Sequence, residues 1–170
     1  IRSDPAQVSL EIMIPGIWSE EISTAGGTYS SLTISSAGVT SVISQPNLPV
    51  ITKMVQIPFG AEVSINVESY ESTEKSLIDM KLTRPIVPVQ PSVPKIAGAE
   101  RQIPFAIDQK YYQQNTFLPE KPVKLGEIGV IRGHRFVTVL IYPVSYNPQS
   151  ERIRIYSKIK LKLSLSRSDI

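Results

Sequence analysis

The sequence predicts an all-β fold, an antiparallel β-sandwich of two packed sheets built from about nine short strands. Three observations support this prediction. Apolar and polar residues alternate at every second position in several runs, as they do on strands with one buried face. The 14 prolines and 9 glycines fall mostly between these runs, where turns are expected. No convincing amphipathic helix interrupts the pattern.

The clearest strand signal lies near the C-terminal end. Residues Lys158 to Leu165 alternate strictly, with aliphatic side chains on one face and mostly lysines on the other. Each buried aliphatic side chain contributes roughly 1.5–3 kcal/mol, so the pattern determines which face is buried. Another strand is expected at Arg152 to Tyr156, after a tight connection at Tyr146-Asn147-Pro148. The run from Val130 to Tyr142 has few polar positions, which predicts a central strand covered on both faces.

The rest of the sandwich is expected from the N-terminal half. There, alternating runs are bounded by Pro, Gly and Ser-rich turns, and a hairpin is expected about Gly26-Gly27. The predicted elements are a strand at Val8 to Ile14, hairpin strands at Ile17 to Thr24 and Tyr29 to Ile34, strands at Val50 to Ile57 and Val63 to Val67, a turn at Ser72 to Lys75 and a strand at Leu77 to Leu82.

Residues 84–124 are expected to form an irregular, Pro-rich insertion in a single domain that spans residues 1–170. Prolines recur through this stretch and prevent a regular ladder, because proline has no backbone donor. One short helical turn is expected within Ile107 to Gln114. A long irregular segment inside a compact domain is usually functional or flexible, so the functional site is sought here.

Composition and spacing exclude several classes of function. Cysteine is absent, which excludes disulfides, thiolate metal sites and a cysteine nucleophile in this chain. The net charge of +3 is too mild to predict nucleic-acid binding. No apolar run reaches the roughly 18–20 residues that cross a bilayer, so no membrane insertion is expected. No cofactor motif and no metal-loop spacing is present.

The sequence does not predict an enzyme. We interpret the single histidine, His134, as making structural hydrogen bonds at a strand bend, and Gly133 before it indicates a bulge or a close backbone approach. Glu20 and Glu21 are neighbours and would face opposite sides of a strand, so the two acids of a glycosidase are missing. We therefore predict no catalytic residue.

Several motifs occur in a characteristic order. They are Gln45-Pro46-Asn47-Leu48-Pro49-Val50, Ile57-Pro58-Phe59-Gly60-Ala61, Val87-Pro88-Val89-Gln90-Pro91, Leu125-Gly126-Glu127, Arg132-Gly133-His134-Arg135 and Tyr142-Pro143-Val144-Ser145-Tyr146-Asn147-Pro148. Over roughly residues 8–165, this set resembles the N-terminal propeptide, or prodomain, of gingipain-type cysteine peptidases.

The resemblance implies a β-sandwich prodomain of a bacterial zymogen that is secreted or displayed at the cell surface after its signal peptide is removed. Its partner would be the cognate cysteine-peptidase catalytic domain, C-terminal in the same precursor, which the prodomain keeps latent and helps to fold. In that family a basic side chain on a prodomain loop enters the S1 pocket and is held by an acidic residue.

Three basic residues of the Pro-rich segment are candidates for this role: Arg101, Lys95 and Lys110. Arg101 is favoured because it lies among small and polar residues between proline stops, a context expected to be exposed and extended. No motif decides between the three.

Further residues are candidates for contact with a partner. The aromatic residues Phe105, Tyr111, Tyr112 and Phe117 either cover one end of the core, anchor the segment on a partner, or stack on sugar rings. Arg132 and Arg135 either contact a partner or form structural ion pairs. A basic stripe of Lys158, Lys160 and Lys162, extended by Arg152 and Arg154, is interpreted as a solvated face, a protected sheet edge or an acidic docking surface.

The fold alone also permits a second function. A carbohydrate-binding or adhesive β-sandwich of a secreted bacterial protein has the same strand pattern. An exposed row of aromatic side chains on one sheet would favour this alternative.

Overall fold

The computed structural model describes residues 2–4, 6–97 and 103–167. Strands dominate, and the all-β prediction is confirmed. The strands are β1 (Arg2–Asp4), β2 (Gln7–Met13), β3 (Ile17–Thr24), β4 (Gly27–Ile34), β5 (Gly38–Val39), β6 (Pro49–Ile57), β7 (Ala61–Ser76), β8 (Val123–Ile131), β9 (His134–Ile141), β10 (Val144–Asn147) and β11 (Arg152–Arg167). A 3-10 helix spans Ile78–Met80, and one α-helical turn, α1, spans Gln109–Tyr112. Neither of the helices in the described ranges is long and apolar enough to cross a membrane.

Two antiparallel sheets enclose the first core. In one sheet β11 is central: β7 pairs along one edge, and β10 and then β2 pair along the other. The second sheet has the strand order β5-β6-β9-β8. Alternate residues of both sheets point between them, as in a sandwich. The enclosed side chains are Val8, Leu10, Val123, Val139, Ile141, Tyr156, Ile159, Leu161 and Leu163.

A β-bulge divides β11 into two parts that bury opposite faces. Tyr156 and Lys158 pair with consecutive residues of β7, which leaves Ser157 as the extra residue. An extra residue in one strand shifts the alternation of side chains after it. Ile153, before the bulge, therefore lies on the sheet face opposite to that of Ile159, after it.

A second core lies on that opposite face, and part of the Pro-rich segment builds it. Ser30 of β4 accepts a hydrogen bond from the N–H of Val87 and donates its own N–H to the carbonyl of Pro85, both at 2.8 Å. This exchange attaches residues 85–87 to the β3–β4 hairpin as a short extra strand. The enclosed side chains are Leu32, Leu48, Leu77, Leu82, Ile86, Val144, Tyr146 and Ile153.

The prediction for residues 72–82 is wrong. Ser72 to Lys75, predicted as a turn, lies within β7, because residues 61–76 pair with β11 along almost its whole length. Leu77 to Leu82, predicted as a strand, forms the 3-10 helix and its flanks, with Leu77 and Leu82 buried in the second core. The long ladder with β11 outweighs the turn preference of the polar residues.

Two boundaries near the C-terminal end also differ from the prediction. The run from Val130 to Tyr142 is a hairpin rather than one strand, because Arg132 and Gly133 have φ of 49° and 78° and form a two-residue turn. Gly133 is therefore a turn residue and not a bulge. Tyr146 and Asn147 belong to β10, so the connection follows them at residues 148–151. The predicted strands at 152–156 and 158–165 are one strand.

The central position of β9 is confirmed, but its coverage on both faces is not. Val137, Val139 and Ile141 are fully buried between the sheets, and β9 lies between β6 and β8. Phe136 and Leu140, on the other face, are only half-buried. The other predicted elements of the N-terminal half, including the hairpin about Gly26-Gly27 and the turn at 58–60, are present. That residues 1–170 form a single domain stays a prediction.

The basic residues of β11 do not form one stripe on a protected edge. β11 is central, and Lys158 and Lys160 lie 3.2 Å and 3.6 Å from the carboxylate oxygens of Glu11 on the neighbouring strand. The hydrogen bond from Lys158 holds the pKa of the Glu11 carboxyl below its usual value. The bulge places Arg154 on the other face, where its Nη2 lies 2.7 Å from Glu74. A solvated face is the interpretation that fits the lysines.

Candidate functional site

One side chain, that of Gln90, joins the two ends of the stretch 91–105, of which residues 91–97 and 103–105 are described. The Gln90 amide donates to the carbonyls of Ala106 at 2.8 Å and Pro88 at 3.1 Å, and its oxygen accepts the N–H of Ala106 at 2.9 Å. The Gln90 side chain thus contacts Ala106 as an adjacent strand would. We call residues 91–105 the clamped loop. We call the contact between Gln90 and Ala106 the clamp. Residues 86–91 beside it are buried or half-buried, and residues 92–97 after it are exposed.

The extended segment that leads into the clamped loop is itself anchored. Val89 donates its N–H to Gln45, and its carbonyl accepts the N–H of Ser44, both at 2.8 Å. On the returning side, Asp108 donates its N–H to Ser44 at 2.9 Å. The segment predicted to be an irregular insertion is therefore held by the body of the protein on both sides of the loop.

An aromatic stack closes the returning end of the loop. The rings of Phe105 and Tyr29 lie 5.3 Å apart at an interplanar angle of 25°. Gly26, in the turn of the β3–β4 hairpin, leaves the space for this ring, because a Cβ there would overlap Phe105. Phe105 thus fastens the loop to the hairpin.

The aromatic residues of α1 serve the same anchoring role. Asp108 caps the helical turn by accepting the N–H of Tyr111 at 3.1 Å, and the Tyr112 hydroxyl donates to the carbonyl of Ile86 at 2.6 Å. Burial raises the pKa of Tyr111 to about 12 and also raises the pKa of Tyr112. Both hydroxyls therefore remain protonated at physiological pH, and Tyr112 stays a donor. The predicted helical turn is confirmed, and Tyr112 packs against the second core.

The three basic candidates are in different surroundings. Lys95 lies on the clamped loop, where residues 92–97 are all exposed and Ile96 has 71% of its surface accessible. Lys110 is exposed, but it lies on α1, on the anchored side of the clamp. Arg101 lies outside the described residues, although its sequence position is within the clamped loop. The choice between them stays a prediction.

Two of the remaining candidates, Arg135 and Phe117, contact other parts of the same chain. Arg135 donates from Nη1 to the carbonyls of Pro58 at 3.0 Å and Ala61 at 2.8 Å, which closes the turn between β6 and β7. Phe117 lies under the guanidinium of Arg154, 4.3 Å from ring centroid to Cζ. Arg132 is exposed in the β8–β9 turn. These contacts supply structural roles, and contact with a partner stays a prediction.

No catalytic constellation is visible in the described part of the chain. The Nδ1 atom of His134 lies 3.1 Å from Nε2 of Gln56, a structural contact of the kind expected for this histidine. Glu21 binds Thr83 through the N–H at 2.6 Å and the hydroxyl at 2.7 Å. Within residues 2–97 and 103–167, apart from residue 5, no group of three or more acidic or histidine side chains is placed to hold a metal ion.

Sequence reasoning missed the residues that build the loop base. The sequence indicates Gln90 only as part of a Pro-rich motif and Tyr29 only as a strand residue. The one signal in the sequence is an amide side chain between Pro88 and Pro91. Proline has no backbone N–H, so nearby carbonyls need another donor, and the Gln90 amide can supply one. The pairing with Ala106 is long-range, so local sequence does not predict it.

Exposed aromatic side chains do not form a row. Among the described residues, Trp18 is 74% exposed on β3, Phe59 is 66% exposed in the β6–β7 turn, and Tyr70 is 53% exposed on β7. They belong to three different elements, whereas a sugar-binding platform needs neighbouring rings on one surface. The observation that would favour a carbohydrate-binding function is therefore not found in this part of the chain.

A family profile described as Propeptide_C25 matches residues 5–169. Among curated proteins, the chain is 27% identical over 149 residues to Lys-gingipain HG66 of Porphyromonas gingivalis, covering 88% of this chain and 8% of that protein. It is 28% identical over 121 residues to gingipain R1 of the same organism, covering 70% of this chain and 11% of that protein. The chain thus spans only a small part of the length of the relatives it matches.

Two solved structures share the fold. One comes from work on the zymogenic latency of gingipain K from Porphyromonas gingivalis, with a TM-score of 0.84, 23% identity, and coverage of 96% of this chain and 88% of that chain. The other is a complex of the pro- and mature domains of RgpB from the same organism, with a TM-score of 0.81, 20% identity, and coverage of 98% and 83%. At these identities the likeness concerns the fold.

Proposed function

The chain belongs to the Propeptide_C25 family, and we propose that it is the propeptide of a secreted gingipain-type cysteine peptidase, which it keeps latent by placing the clamped loop in the active-site cleft. As a propeptide it is not itself an enzyme. The family match over residues 5–169 is the observation that carries this proposal. The partner is the catalytic domain of the same precursor, which the propeptide also helps to fold. The precursor reaches the cell surface or the medium after removal of a signal peptide.

The clamped loop has the properties that an inhibitory loop needs. It is exposed between residues 92 and 97, it has a held base, and its flanking prolines limit its conformations. A loop that is ordered before binding loses less entropy on docking. These properties support the loop as the segment that enters the cleft.

A basic side chain of the loop supplies the specific contact. A guanidinium can form two parallel hydrogen bonds with a carboxylate in the S1 pocket, and such charge-assisted pairs are stronger than neutral ones. Arg101 is the first choice, because it combines this chemistry with a position inside the clamped loop. Lys95 shares the position but offers only a point charge, and Lys110 lies outside the loop.

The test is inhibition of the purified catalytic domain by the wild-type chain and by Arg101→Ala, Lys95→Ala and Lys110→Ala. Removing a buried charge partner costs roughly 2–5 kcal/mol, so the critical variant should lose at least about tenfold in inhibition constant. Lys124→Ala is the matched control, since Lys124 is an exposed lysine of β8 outside the segment that forms the loop. If all three variants inhibit like the wild type, the basic-anchor mechanism is wrong. If the wild-type chain does not bind, the propeptide function itself is wrong.

A further inference from the structure

The β3–β4 hairpin has one face that packs on the second core and an outer face that contacts Phe105 near the turn and is exposed at Trp18, Glu20 and Thr33. In its register Ile17 pairs with Ile34, and these side chains lie on the face toward the second core. Trp18, the next residue, pairs with Thr33 and lies on the outer face. Because side chains alternate along a strand, the outer face also carries Glu20. We call the outer side chains of β3 and β4 the hairpin face.

Trp18 is the most exposed of the large hydrophobic side chains that the structure describes, with 74% of its surface accessible. It is the single tryptophan of the chain. Its cross-strand neighbour Thr33 and the next outer residue Glu20 are exposed too, and neither is long and apolar enough to cover an indole ring. Tryptophan is the residue type most enriched among interface positions that dominate binding energy.

The hairpin face is continuous with the clamped loop. Tyr29 belongs to the outer row, where it pairs with Ile22, and its ring stacks on Phe105 at the end of the loop. Trp18 lies four residues from Ile22 along β3, which corresponds to about 13 Å at 3.3 Å per residue. A standard interface buries about 800 Å² on each partner, a patch more than 25 Å across, so one partner can contact both the loop and Trp18.

We infer that the hairpin face is a second docking surface for the peptidase catalytic domain, beside the clamped loop, and that Trp18 is its anchor. This inference rests on the proposed function. The complementary surface on the catalytic domain is an apolar depression next to the active-site cleft, with a hydrogen-bond acceptor for the indole N–H. Two separate contacts with the catalytic domain fix the direction in which the loop enters the cleft. A single contact would leave that direction free.

Binding affinity tests the inference with a matched pair of variants. The probe is the catalytic domain of the same precursor with its nucleophilic cysteine changed to alanine, so that the loop is not cut. Trp18→Ala should raise the dissociation constant at least about tenfold, mainly through faster dissociation. Phe59→Ala is the control: Phe59 is 66% exposed in the β6–β7 turn, and this variant should bind within about twofold of the wild type. Circular dichroism of each variant establishes that it is folded.

The outcomes separate the inference from the proposed function. If the wild-type chain binds and Trp18→Ala binds equally well, the hairpin face is not a docking surface, while the propeptide function stands. If the wild-type chain does not bind, the proposed function fails and the inference fails with it. If Trp18→Ala and Phe59→Ala weaken binding equally, the effect is not specific to the hairpin face, and the inference is likewise wrong.

The single tryptophan permits a second readout that needs no substitution. Chain labelled with 5-fluorotryptophan gives one ¹⁹F resonance, which reports only on Trp18. Adding the unlabelled catalytic domain should shift this resonance and protect the indole from a soluble quencher. The resonance should shift with the Arg101→Ala chain as well, since the two contacts are separate. An unmoved resonance at saturation, or a shift that follows the concentration of the propeptide alone, contradicts docking of Trp18 on the peptidase.

Discussion

At the scale of single residues, Gln90 and Glu21 show how side chains replace backbone hydrogen bonds in this protein. Gln90 joins the two ends of the clamped loop, and Glu21 holds Thr83 against the β3–β4 hairpin. Both contacts join residues far apart in the sequence, and the two sites lie in or near the stretch where proline interrupts the ladders. Local sequence shows the polar side chain but not its partner, so neither contact could be predicted.

Gln90→Leu should loosen the clamped loop while leaving the sandwich folded. Leucine keeps the size of the side chain but loses three hydrogen bonds, which costs about 1–3 kcal/mol. Because the loss is local, limited proteolysis of the free chain should cut within residues 91–105 several-fold faster in the variant. Gln113→Leu is the control, since Gln113 is an exposed amide at the end of α1. Equal cleavage rates in the two variants, or first cuts within residues 130–165, would contradict the role given to the clamp.

Glu21 should make the stability of the hairpin depend on pH. The hydroxyl and the N–H of Thr83 donate to its carboxylate and lower its pKa from the ordinary value of 4.5. A carboxyl group whose pKa is lower in the folded state stabilises that state above its unfolded pKa, and the contribution is lost as the pH falls through the folded pKa. Glu21→Gln should therefore melt below the wild type at neutral pH, and the two melting temperatures should converge below pH 4.5.

The neighbouring carboxylate gives the control for this pH dependence. Glu20 lies on the outer side of β3 and is exposed. At neutral pH, where the contact of Glu21 with Thr83 is intact, Glu20→Gln should melt at the wild-type temperature. The difference in melting temperature between the wild type and Glu21→Gln should disappear at acid pH. If it stays constant from neutral to acid pH, the carboxylate charge is not what stabilises the contact.

At the scale of elements, alternation along a strand could be predicted, and the ends of the strands often could not. The buried row of β11 from Ile159 to Leu163 follows directly from the sequence. A shift of the register by one residue would expose every aliphatic side chain of this row, so the observed register is strongly favoured. The continuation of β7 through Ser72 to Ser76 does not follow from the sequence, because only pairing with β11 holds these polar residues extended. The bulge at Ser157 also depends on the pairing with β7. Because of it, the residues before and after Ser157 bury opposite faces of the sheet, which the alternation in the sequence does not reveal.

Leu161→Lys should unfold the protein or nearly so. Leu161 has no accessible surface and lies in the first core, so an ammonium there costs about 3–5 kcal/mol, a large part of the stability of a domain. Lys160→Leu should change the melting temperature little, because Lys160 lies on the solvated face and its contact with Glu11 is between exposed groups. Circular dichroism melting compares the two variants. Equal stability would show that the faces of β11 are assigned wrongly.

At the scale of the whole molecule, two cores lie on opposite faces of one sheet, and the clamped loop extends from the second of them. The first core lies between the sheets of the sandwich, and the second lies under the β3–β4 hairpin, β10 and residues 77–87. The loop leaves from the second core, where Phe105 and Tyr112 hold its base. The sandwich and the position of the Pro-rich segment could be predicted. The second core could not, since it is assembled from short pieces that only long-range contacts bring together.

In the proposed function, this arrangement lets a chain with no catalytic constellation among its described residues inhibit a peptidase. The anchored parts of the Pro-rich segment hold both ends of the clamped loop, which carries Lys95 and the exposed Ile96 and includes Arg101 by sequence position. Binding can then block the cleft without chemistry in the propeptide.

The mode of inhibition tests this account most directly. The measurement is the rate of hydrolysis of a small peptide substrate by the catalytic domain, at several substrate concentrations, with the wild-type chain and with a chain in which residues 93–102 are replaced by a short Gly-Ser linker. The account predicts purely competitive inhibition by the wild-type chain, because the loop and the substrate occupy the same cleft. It also predicts at least about tenfold weaker inhibition by the linker chain. Non-competitive inhibition by the wild type, or equal inhibition by both chains, would contradict it.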